Sequence, residues 1–439
     1  MLGLGPEWLT IILFGSLVVL LVAGLPLVFA IGGVATFFII VLWGPHALPI
    51  LANRTYMAMD MFLLVAVPMF IFMGAMLQRC GIAEDMYELM YHWMAGLRGG
   101  LAAGTVLICT MFAAMVGISG AATTSMGLIA LPSMLNRGYS KKLAIGCISA
   151  GGSLGILIPP SVLMIILSLT SRVSIGQLFI AGILPGLLLS FLFISYILIR
   201  SYIQKDLAPA VPAESRLPLA ARMKLLAGLL LPIGLIVAVM GSMFFGIATP
   251  SEASAVGALG AIVSAGIKRS LTWPNFTSAL FITLRLTAMV IWIVFAASAF
   301  TSLYAVTGAA SLVSTLIKDV GDPWMVIITM NLILFVLGMF FDPSGIVLLT
   351  APIFFPIVIS LGFDPLWFAI LFVINMELAY LTPPFGFNLF YMKAVTPPDI
   401  TMMDIYKSQT PFVLLMLLGL GLCMVFPGII TWLPRLMVT

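Results

Sequence analysis

The chain has 439 residues, of which 62% are apolar and only 8% are charged, and its mean hydropathy is +1.24. A water-soluble fold cannot bury so large an apolar fraction, so the composition indicates an all-α polytopic membrane protein. At roughly 20 apolar residues per crossing, this length predicts about ten to thirteen spans in the lipid bilayer. The net charge of +4 comes from bases scattered between apolar runs, which excludes nucleic acid as a partner.

The residue types that carry enzyme chemistry are scarce. The four cysteines have no close spacing, and the two histidines are too few for a haem pair or a zinc motif. No glycine-rich loop ends in Gly-Lys, so the sequence has no cradle for the phosphates of ATP. It also has no nucleophile-and-base pair of the kind that an intramembrane enzyme needs. We therefore expect that the chain is not an enzyme and that its energy source lies outside it.

The apolar runs divide the chain into a series of helices. The first run, Trp8 to Trp43, is broken by Gly24 and Pro26 and predicts two helices, with no signal-peptide cleavage pattern before it. Later runs are separated by one charged loop, 204–224, whose excess of bases places it in the cytoplasm. The predicted divisions are N-terminal membrane helices (1–55), a first repeat (56–203), the cytoplasmic loop (204–224), central scaffold helices (225–275) and a second repeat (276–439).

The two repeats are related by an offset of 224 residues. Seven identities fall at this offset and include prolines and a glycine: Ile129 and Ile353, Pro132 and Pro356, Gly138 and Gly362, Leu154 and Leu378, Leu157 and Leu381, Pro159 and Pro383, Pro160 and Pro384. Repeats of inverted topology place equivalent loops on opposite membrane faces. The loop at 137–142 carries three bases, whereas the equivalent loop carries Asp364 and no base. This difference predicts inverted repeats.

Two Leu-x-Pro-Pro elements, Leu157–Pro160 and Leu381–Pro384, interrupt apolar runs near their middle. Because proline has no N–H, four earlier carbonyls lose their helical partners, namely those of Gly155, Ile156, Ala379 and Tyr380. Bare carbonyls are not tolerated against lipid, so protein, water or an ion must contact them. Such carbonyls suit Na⁺, and the helix that restarts after each break offers free N–H groups to a carboxylate. The alternative is a pair of structural proline kinks.

Each repeat also has an earlier polar interruption, Gly117–Ser125 in the first and Asp342–Gly345 in the second. These segments predict a second broken helix that closes a cation cage, and small-residue helix packing is the alternative for the first. Acids in apolar runs are functional candidates, so Asp342 and Glu377 could neighbour Na⁺ or take a proton.

The predicted site residues fall into three sets. Those that would bind sodium through backbone or hydroxyl oxygens are Ser119, Thr123, Gly151, Ser153, Gly155, Pro159, Asp342, Ser344, Glu377, Ala379 and Thr382. Those that would bind substrate are Ser161, Gly386 and Asn388. Those that break helices are Pro159, Pro160, Pro383 and Pro384.

Three segments resemble the large membrane subunit of the TRAP (tripartite ATP-independent periplasmic) transporters, within the ion transporter superfamily. They are GIATPSEASAVGA at 246–258, ILIPPS at 156–161 and MELAYLTPPFGFNLF at 376–390. The resemblance covers nearly the whole chain. One departure is the first interrupted helix, where Ala121, Thr123 and Thr124 stand without the acid that the family commonly has there.

This resemblance implies an elevator-type importer in the bacterial inner membrane, with a scaffold and a transport domain. It implies two re-entrant hairpins, with tips near 151–161 and 377–388, and coupling to two or more Na⁺. It also implies a small four-helix membrane subunit and a periplasmic binding protein that delivers a small organic acid. The alternatives are a stand-alone Na⁺ or H⁺ coupled anion transporter or exchanger of the same superfamily, and a channel, which paired broken helices suit less well.

Overall fold

The computed structural model of the chain describes residues 5–94, 96–117, 119–211, 217–308, 315 and 321–437. In this part of the chain every regular element is an α-helix or a short 3-10 turn, which confirms the all-α prediction. Some predicted features extend beyond it. They are Ile118 in the first polar interruption, residues 212–216 with Glu214 and Arg216 in the charged loop, residues 309–314 and 316–320 in the second repeat, and the termini 1–4 and 438–439.

The N-terminal region and the first repeat contain ten helices among the described residues. They are α1 Pro6–Val22, α2 Leu27–Trp43, α3 Pro49–Met59, α4 Ala66–Gln78, α5 Ile82–Met94, α6 Gly100–Val116, α7 Ser119–Asn136, α8 Lys141–Ser153, α9 Val162–Ser171 and α10 Ile175–Ile203. The division between α1 and α2 falls at Gly24 and Pro26, as predicted.

The rest of the described chain contains ten more helices. They are α11 Leu219–Leu225, α12 Leu230–Phe244, α13 Pro250–Ile267, α14 Trp273–Val306, α15 Pro323–Gly338, α16 Pro343–Ser360, α17 Pro365–Tyr380, α18 Phe387–Val395, α19 Met402–Val425 and α20 Gly428–Thr431. Because α11 begins at Leu219, the last six residues of the predicted charged loop are helical.

Several helix starts follow directly from local sequence. The Thr249 hydroxyl accepts from the Glu252 N–H, and the Glu252 carboxylate accepts from the Thr249 N–H at 2.7 Å, so α13 begins with a capping box. The Asp-Pro pairs at Asp342 and Asp364 start α16 and α17 through a simpler cap, formed by the aspartate side chain alone. Each carboxylate accepts the backbone N–H two residues later, and each proline occupies the first helical position.

Five helices among the described residues are long and apolar enough to cross a bilayer, or six if the bent pair Pro45–Met59 and Phe62–Gln78 forms one span. The five are Ile175–Ile203, Leu219–Phe244, Trp273–Val306, Pro343–Ser360 and Met402–Val425. This is fewer than the ten to thirteen predicted. The remaining apolar helices have only 10–17 residues because the interruptions divide them. Seventeen residues rise about 26 Å, which is less than a hydrocarbon core of about 30 Å.

The helix bounds repeat at the predicted offset. The first residues of α7 and α16, and also their last residues, are 224 positions apart. The same offset relates the starts of α8 and α17 and the ends of α9 and α18. The repeats also exchange contacts, since α9 packs on α16 and α18 packs on α7. The two repeats are therefore interlocked, and each supplies part of the other's core.

The helices form two groups. In the first, α4 packs on α13 and α14, and α14 also packs on α2 and α3. In the second, α6, α7 and α8 pack together, α15 packs on α17, and α19 contacts α8, α10 and α17. The groups meet where α6 contacts α4 and where α14 contacts α16.

The packing places the hairpin turns away from the proline pairs. α6 and α7 lie against each other and are joined by two residues, so their turn is at Gly117, which has a φ of +66°. A Cβ at this glycine would lie 2.2 Å from the Pro160 carbonyl oxygen. By contrast, α8 and α9 share few contacts. In the second repeat, α15 and α16 likewise contact each other across residues 339–342. The expectation of hairpin tips at 151–161 and 377–388 is therefore corrected: the hairpin turns lie at Gly117 and at 339–342, and the proline pairs divide discontinuous helices.

The two loops that were predicted to lie on opposite membrane faces lie near opposite ends of α19. The basic loop lies near its first residues, since Lys141 pairs with Asp399, and Asp364 lies near its last ones. The Ser140 N–H donates to the Leu207 carbonyl at 2.9 Å, which joins the basic loop at 137–142 to the charged loop. At the other end of α19, the Trp367 indole N–H donates to the Cys423 carbonyl at 2.9 Å. Asp364, three residues before that tryptophan, therefore lies far from the basic loops.

Membrane-impermeant maleimide labelling tests this arrangement. In a variant without the four native cysteines, Ser140→Cys is expected to react only from the cytoplasmic face and Asp364→Cys only from the periplasmic face. Lys205→Cys in the charged loop serves as a control and should label together with Ser140→Cys. Labelling of Ser140→Cys and Asp364→Cys from one face would contradict inverted topology.

Candidate functional site

The first proline break is closed by its own serine. The Ser161 hydroxyl donates to the Ile156 carbonyl at 2.6 Å and accepts from the Met164 N–H at 3.4 Å, so it caps α9. The Ile156 carbonyl, which was expected to be bare, therefore has a protein donor. The single proton of Ser161 is committed to this bond, so its hydroxyl is not a free donor for substrate in this conformation.

The second proline break is also closed internally. The Thr382 N–H donates to the Ala379 carbonyl at 3.1 Å, and the Gly386 N–H donates to the Thr382 carbonyl at 3.2 Å. From α19, the Tyr406 hydroxyl donates to the Pro384 carbonyl at 2.9 Å. The prediction that the Ala379 carbonyl is stranded is thus corrected, because the chain turns back within three residues and supplies an N–H.

Asn388 connects the two repeats through hydrogen bonds. Its amide oxygen accepts from the Thr123 hydroxyl at 2.7 Å and from the Ser119 hydroxyl at 3.2 Å, both on α7. Its amide N–H donates to the Ser149 carbonyl on α8 at 2.6 Å. The side chains of Asn388, Thr123 and Ser119 are all buried. The structure therefore brings a predicted substrate residue together with two predicted sodium residues, at the start of α18.

α8 approaches its neighbours closely through two glycines. A Cβ at Gly152 would lie 2.0 Å from the Thr123 hydroxyl oxygen and 2.9 Å from the Thr123 backbone nitrogen. A Cβ at Gly151 would lie 2.9 Å from the Cys109 Cβ on α6. The predicted sodium residue Gly151 thus has a packing role, and both glycines are required because backbone comes this close to other atoms.

Ser153 and Glu377 occupy equivalent positions, 224 residues apart, and they contact each other. The Ser153 hydroxyl lies 3.1 Å from Glu377 Oε1 and 2.8 Å from the Ala150 carbonyl oxygen, and both side chains are fully buried. Glu377 Oε2 has no hydrogen-bond partner among the described residues. A buried carboxyl with one unpartnered oxygen therefore lies where equivalent positions of the two repeats touch.

Further buried oxygens lie on the same helices. The Ser149 hydroxyl and the Asn375 amide oxygen are buried without a hydrogen-bond partner in the described part of the chain. The Asn375 amide N–H is engaged with Asn331 on α15, at 2.7 Å from its carbonyl oxygen. Unpartnered buried oxygens are costly unless a cation or a proton meets them. Hydroxyl, amide and carboxylate oxygens are the ligand types that a hard cation prefers.

The remaining predicted residues are distributed around this contact between the repeats. Asp342 accepts the Ser344 N–H at 2.9 Å as the cap of α16, which is a structural role for both residues. The Thr382 hydroxyl donates to the Leu378 carbonyl at 2.8 Å. Gly155 is buried in the turn after α8, and Pro159 and Pro160 follow it. Among the described residues, Asp342 and Ser344 share no hydrogen bond with Ser153 or Glu377.

Gln409 was missed by the reasoning from sequence. It lies on α19, is only 1% exposed, and neither its amide oxygen nor its amide nitrogen has a hydrogen-bond partner among the described residues. It lines a pocket of about 260 Å³ beside the second proline break, with Thr382, Pro383 and Lys407. A polar amide in an apolar span is the signal that could have identified it.

The chain matches the family described as "Tripartite ATP-independent periplasmic transporter, DctM component" over residues 14–429. It is 34% identical over 401 residues to the C4-dicarboxylate TRAP transporter large permease protein DctM of Pseudomonas aeruginosa, covering 90% of this chain and 92% of that protein. It is 32% identical over 425 residues to the ectoine/5-hydroxyectoine TRAP transporter large permease protein UehC of Ruegeria pomeroyi, covering 94% of this chain and 96% of that protein.

A solved structure shares the fold. MtrF of Neisseria gonorrhoeae, described as illuminating a class of antimetabolite efflux pumps, superposes with a TM-score of 0.62 at 15% sequence identity, covering 97% of this chain and 95% of that one. At this identity the likeness concerns the architecture alone. The match to the family model extends across both repeats, both proline breaks and the buried cluster between them. This chain therefore belongs to the DctM component family of the tripartite ATP-independent periplasmic transporters.

Proposed function

We propose that the chain is the large permease subunit of a three-part importer that carries a small organic acid across the inner membrane and is driven by Na⁺. As a permease of this family it lies in the bacterial inner membrane. The observation that carries the proposal is the buried, oxygen-rich contact between the two repeats, where Ser153 hydrogen-bonds to Glu377 and Thr123 hydrogen-bonds to Asn388. Such a site, at the interface of two repeats and beside broken helices, suits a coupled carrier.

The coupling cations would bind the buried oxygens that lack partners. Glu377 Oε2 and the Ser149 hydroxyl belong to this set, and Ser153 lies beside the carboxylate. Two or more Na⁺ entering with one carboxylate would carry net positive charge inward. At about 2.3 kcal/mol per elementary charge per 100 mV, the membrane potential would then contribute to uptake.

The organic acid would bind beside the second proline break. The pocket there is lined by Thr382, Pro383 and the buried amide of Gln409, which has no partner among the described residues. An amide N–H is a donor that a carboxylate accepts. The dicarboxylates and ectoine named for the two relatives are carboxylates as well, so a small organic acid is the substrate class that we assign to this chain.

Transport would follow an elevator mechanism. The helix group with the buried contact between the repeats, α6–α10 and α15–α19, would move against the group of α2, α3, α4, α13 and α14. The moving group packs extensively within itself because the repeats exchange α9 and α18. Such a group can shift as one body while its site stays intact.

Two partners complete the transporter. Membership of the family implies a small membrane subunit and a periplasmic binding protein, and we propose that this chain is inactive without both. The test is uptake of labelled C4-dicarboxylates and other small organic acids into proteoliposomes, with and without the two partners and an inward Na⁺ gradient. Uptake only with both partners and Na⁺ supports the proposal. Sodium-driven uptake by the chain alone would instead make it a stand-alone transporter.

Removing the hydroxyls beside the buried contact is expected to weaken sodium dependence. Ser153→Ala and Thr382→Ala should each raise the Na⁺ concentration for half-maximal uptake by about threefold to tenfold. This is the change in affinity expected from the loss of one buried hydrogen-bonding group. Ser242→Ala is the matched control, because the Ser242 hydroxyl makes the same kind of bond at 2.8 Å on α12, away from the buried contact. Unchanged sodium dependence in both test variants would show that Ser153 and Thr382 do not belong to the sodium site.

Proton coupling is a second candidate that Glu377 specifically favours. The single proton of Ser153 cannot serve both Ala150 and Glu377, so a hydrogen on the carboxyl would complete the pair. A proton on Glu377 would also remove a fully buried charge. In that case uptake would follow the pH gradient across the membrane and would persist without sodium.

A further inference from the structure

Three basic side chains converge where α8 and α19 begin and α10 ends, on one side of the molecule. Lys142, Arg200 and Lys407 line a single pocket of about 190 Å³, and no acidic side chain lines it among the residues that the structure describes. Arg200 donates to the neutral Tyr196 hydroxyl at 2.6 Å. Like charges held together repel each other, so an anion in this pocket would relieve an unfavourable arrangement.

Two acids in the segment that leads to Lys407 are already engaged. Asp399 forms an ion pair with Lys141, and this contact holds the pKa of Asp399 below its ordinary value, so the acid is charged at neutral pH and occupied by its own lysine. Asp404, one turn before Lys407, accepts from the backbone N–H and the hydroxyl of Thr401. Neither of these acids lines the pocket, nor does Asp206, which is exposed next to the lining residue Leu207, so the described lining has an excess of positive charge.

An apolar groove begins directly beside this pocket. It has a volume of about 530 Å³ and shares Tyr196 and Arg200 with the pocket. Its other lining residues are mostly aliphatic: Leu192, Ser195, Ile199, Ile203, Gln204 and Leu415. The positions on α10 recur every three or four residues and form one helix face. Ile199 is 61% exposed, so an apolar surface extends from the cationic end toward the membrane interior.

We propose that this pocket and groove bind one anionic phospholipid, with the headgroup phosphate on Lys142, Arg200 and Lys407 and an acyl chain along α10. The pocket includes Ser140 and Leu207, which belong to the loops assigned to the cytoplasm by their bases. Basic pockets between membrane helices on that face suit anionic headgroups. A free phosphate would satisfy the pocket but leave the groove uncovered, whereas a phospholipid satisfies both.

The test uses the full-length chain, purified in detergent and freed of lipid. Native mass spectrometry and thermal melting are measured with phosphatidylglycerol, phosphatidylcholine and inorganic phosphate, each added separately. We expect one bound phosphatidylglycerol and a melting temperature raised by about 2 °C or more. Neither phosphatidylcholine nor inorganic phosphate should reproduce this shift.

Two variants and one control separate the headgroup from the acyl contact. The triple change Lys142→Gln, Arg200→Gln and Lys407→Gln should weaken phosphatidylglycerol binding by at least about tenfold. Ile199→Trp fills the groove at an exposed position and should weaken it while leaving the basic pocket intact. The control removes three exposed bases elsewhere, by Arg54→Gln, Arg79→Gln and Lys224→Gln, and should bind as the parent does.

Three results would overturn the proposal. Equal binding of phosphatidylcholine would show that charge is not recognised. An equal shift with inorganic phosphate would show an adventitious ion only. Unchanged phosphatidylglycerol binding in the triple variant and in Ile199→Trp would show that the lipid binds elsewhere.

Discussion

Replacing Glu377 by glutamine is expected to raise the Na⁺ concentration for half-maximal uptake by about tenfold or more, because a charged oxygen ligand becomes neutral. The variant keeps the volume of the side chain and an oxygen that accepts from Ser153, so insertion and folded yield should be unchanged. The measurement is initial uptake in proteoliposomes across a series of Na⁺ concentrations, with the partner proteins present.

The control for this change is Asp364→Asn, which removes an acid from the start of the same helix and leaves a side chain that still caps it. Its sodium dependence should match that of the parent. If Glu377→Gln keeps the sodium dependence but loses the pH dependence of uptake, the carboxyl carries a proton rather than neighbouring a cation. If neither dependence changes, Glu377 is not part of the coupling site.

Adding one methyl group at Gly152 is expected to impair both folding and transport. The new Cβ would lie 2.0 Å from the Thr123 hydroxyl oxygen and within 3.0 Å of Thr123 backbone atoms, so α7 and α8 would have to separate. Overpacking of this kind typically costs about 1–3 kcal/mol and would displace the Thr123 hydroxyl from Asn388. We expect Gly152→Ala to lower both the folded yield and the uptake rate per folded molecule.

Gly421→Ala is the matched control, since a Cβ at that helical glycine on α19 would meet no atom within 4 Å. Yield is measured by size-exclusion chromatography of the detergent-solubilised protein, and uptake is normalised to it. A Gly152→Ala variant with normal yield and normal uptake would show that the contact between α7 and α8 does not support the site. When Thr123→Ala is added, the folded yield is expected to recover in part because the closest oxygen is removed, whereas uptake should stay low because Asn388 still lacks the Thr123 hydroxyl.

Much of the architecture was predictable because its causes are local. A run of apolar residues predicts a helix in a membrane, and Pro159 and Pro383 break such a helix wherever it packs. The repeat offset was visible in the alignment of prolines, and the structure reproduces it in the bounds of α7 and α16. Only five or six of the described helices pass a length and hydropathy test for a full span, since apolar length in the sequence does not show how many interruptions divide a helix.

The hairpin turns were assigned to the wrong breaks for a related reason. A glycine and a proline pair both interrupt a helix in the sequence, yet only packing decides whether the chain then reverses or continues. At Gly117 it reverses, because a left-handed glycine allows two helices to meet within two residues. After Ser153 it does not, and the Ser161 hydroxyl supplies the partner that the prolines remove.

The sequence by itself determined that this is an all-helical membrane permease with duplicated, proline-broken helices, because hydropathy and backbone chemistry act over a few residues. Only the tertiary structure decided which side chains meet. Asn388 bonds to Thr123, which is 265 residues away in the sequence, and Ser153 bonds to Glu377, which is 224 residues away. The Gln409 amide lines a pocket beside the second proline break. Contacts between distant segments depend on how helices pack, and no local pattern encodes that packing.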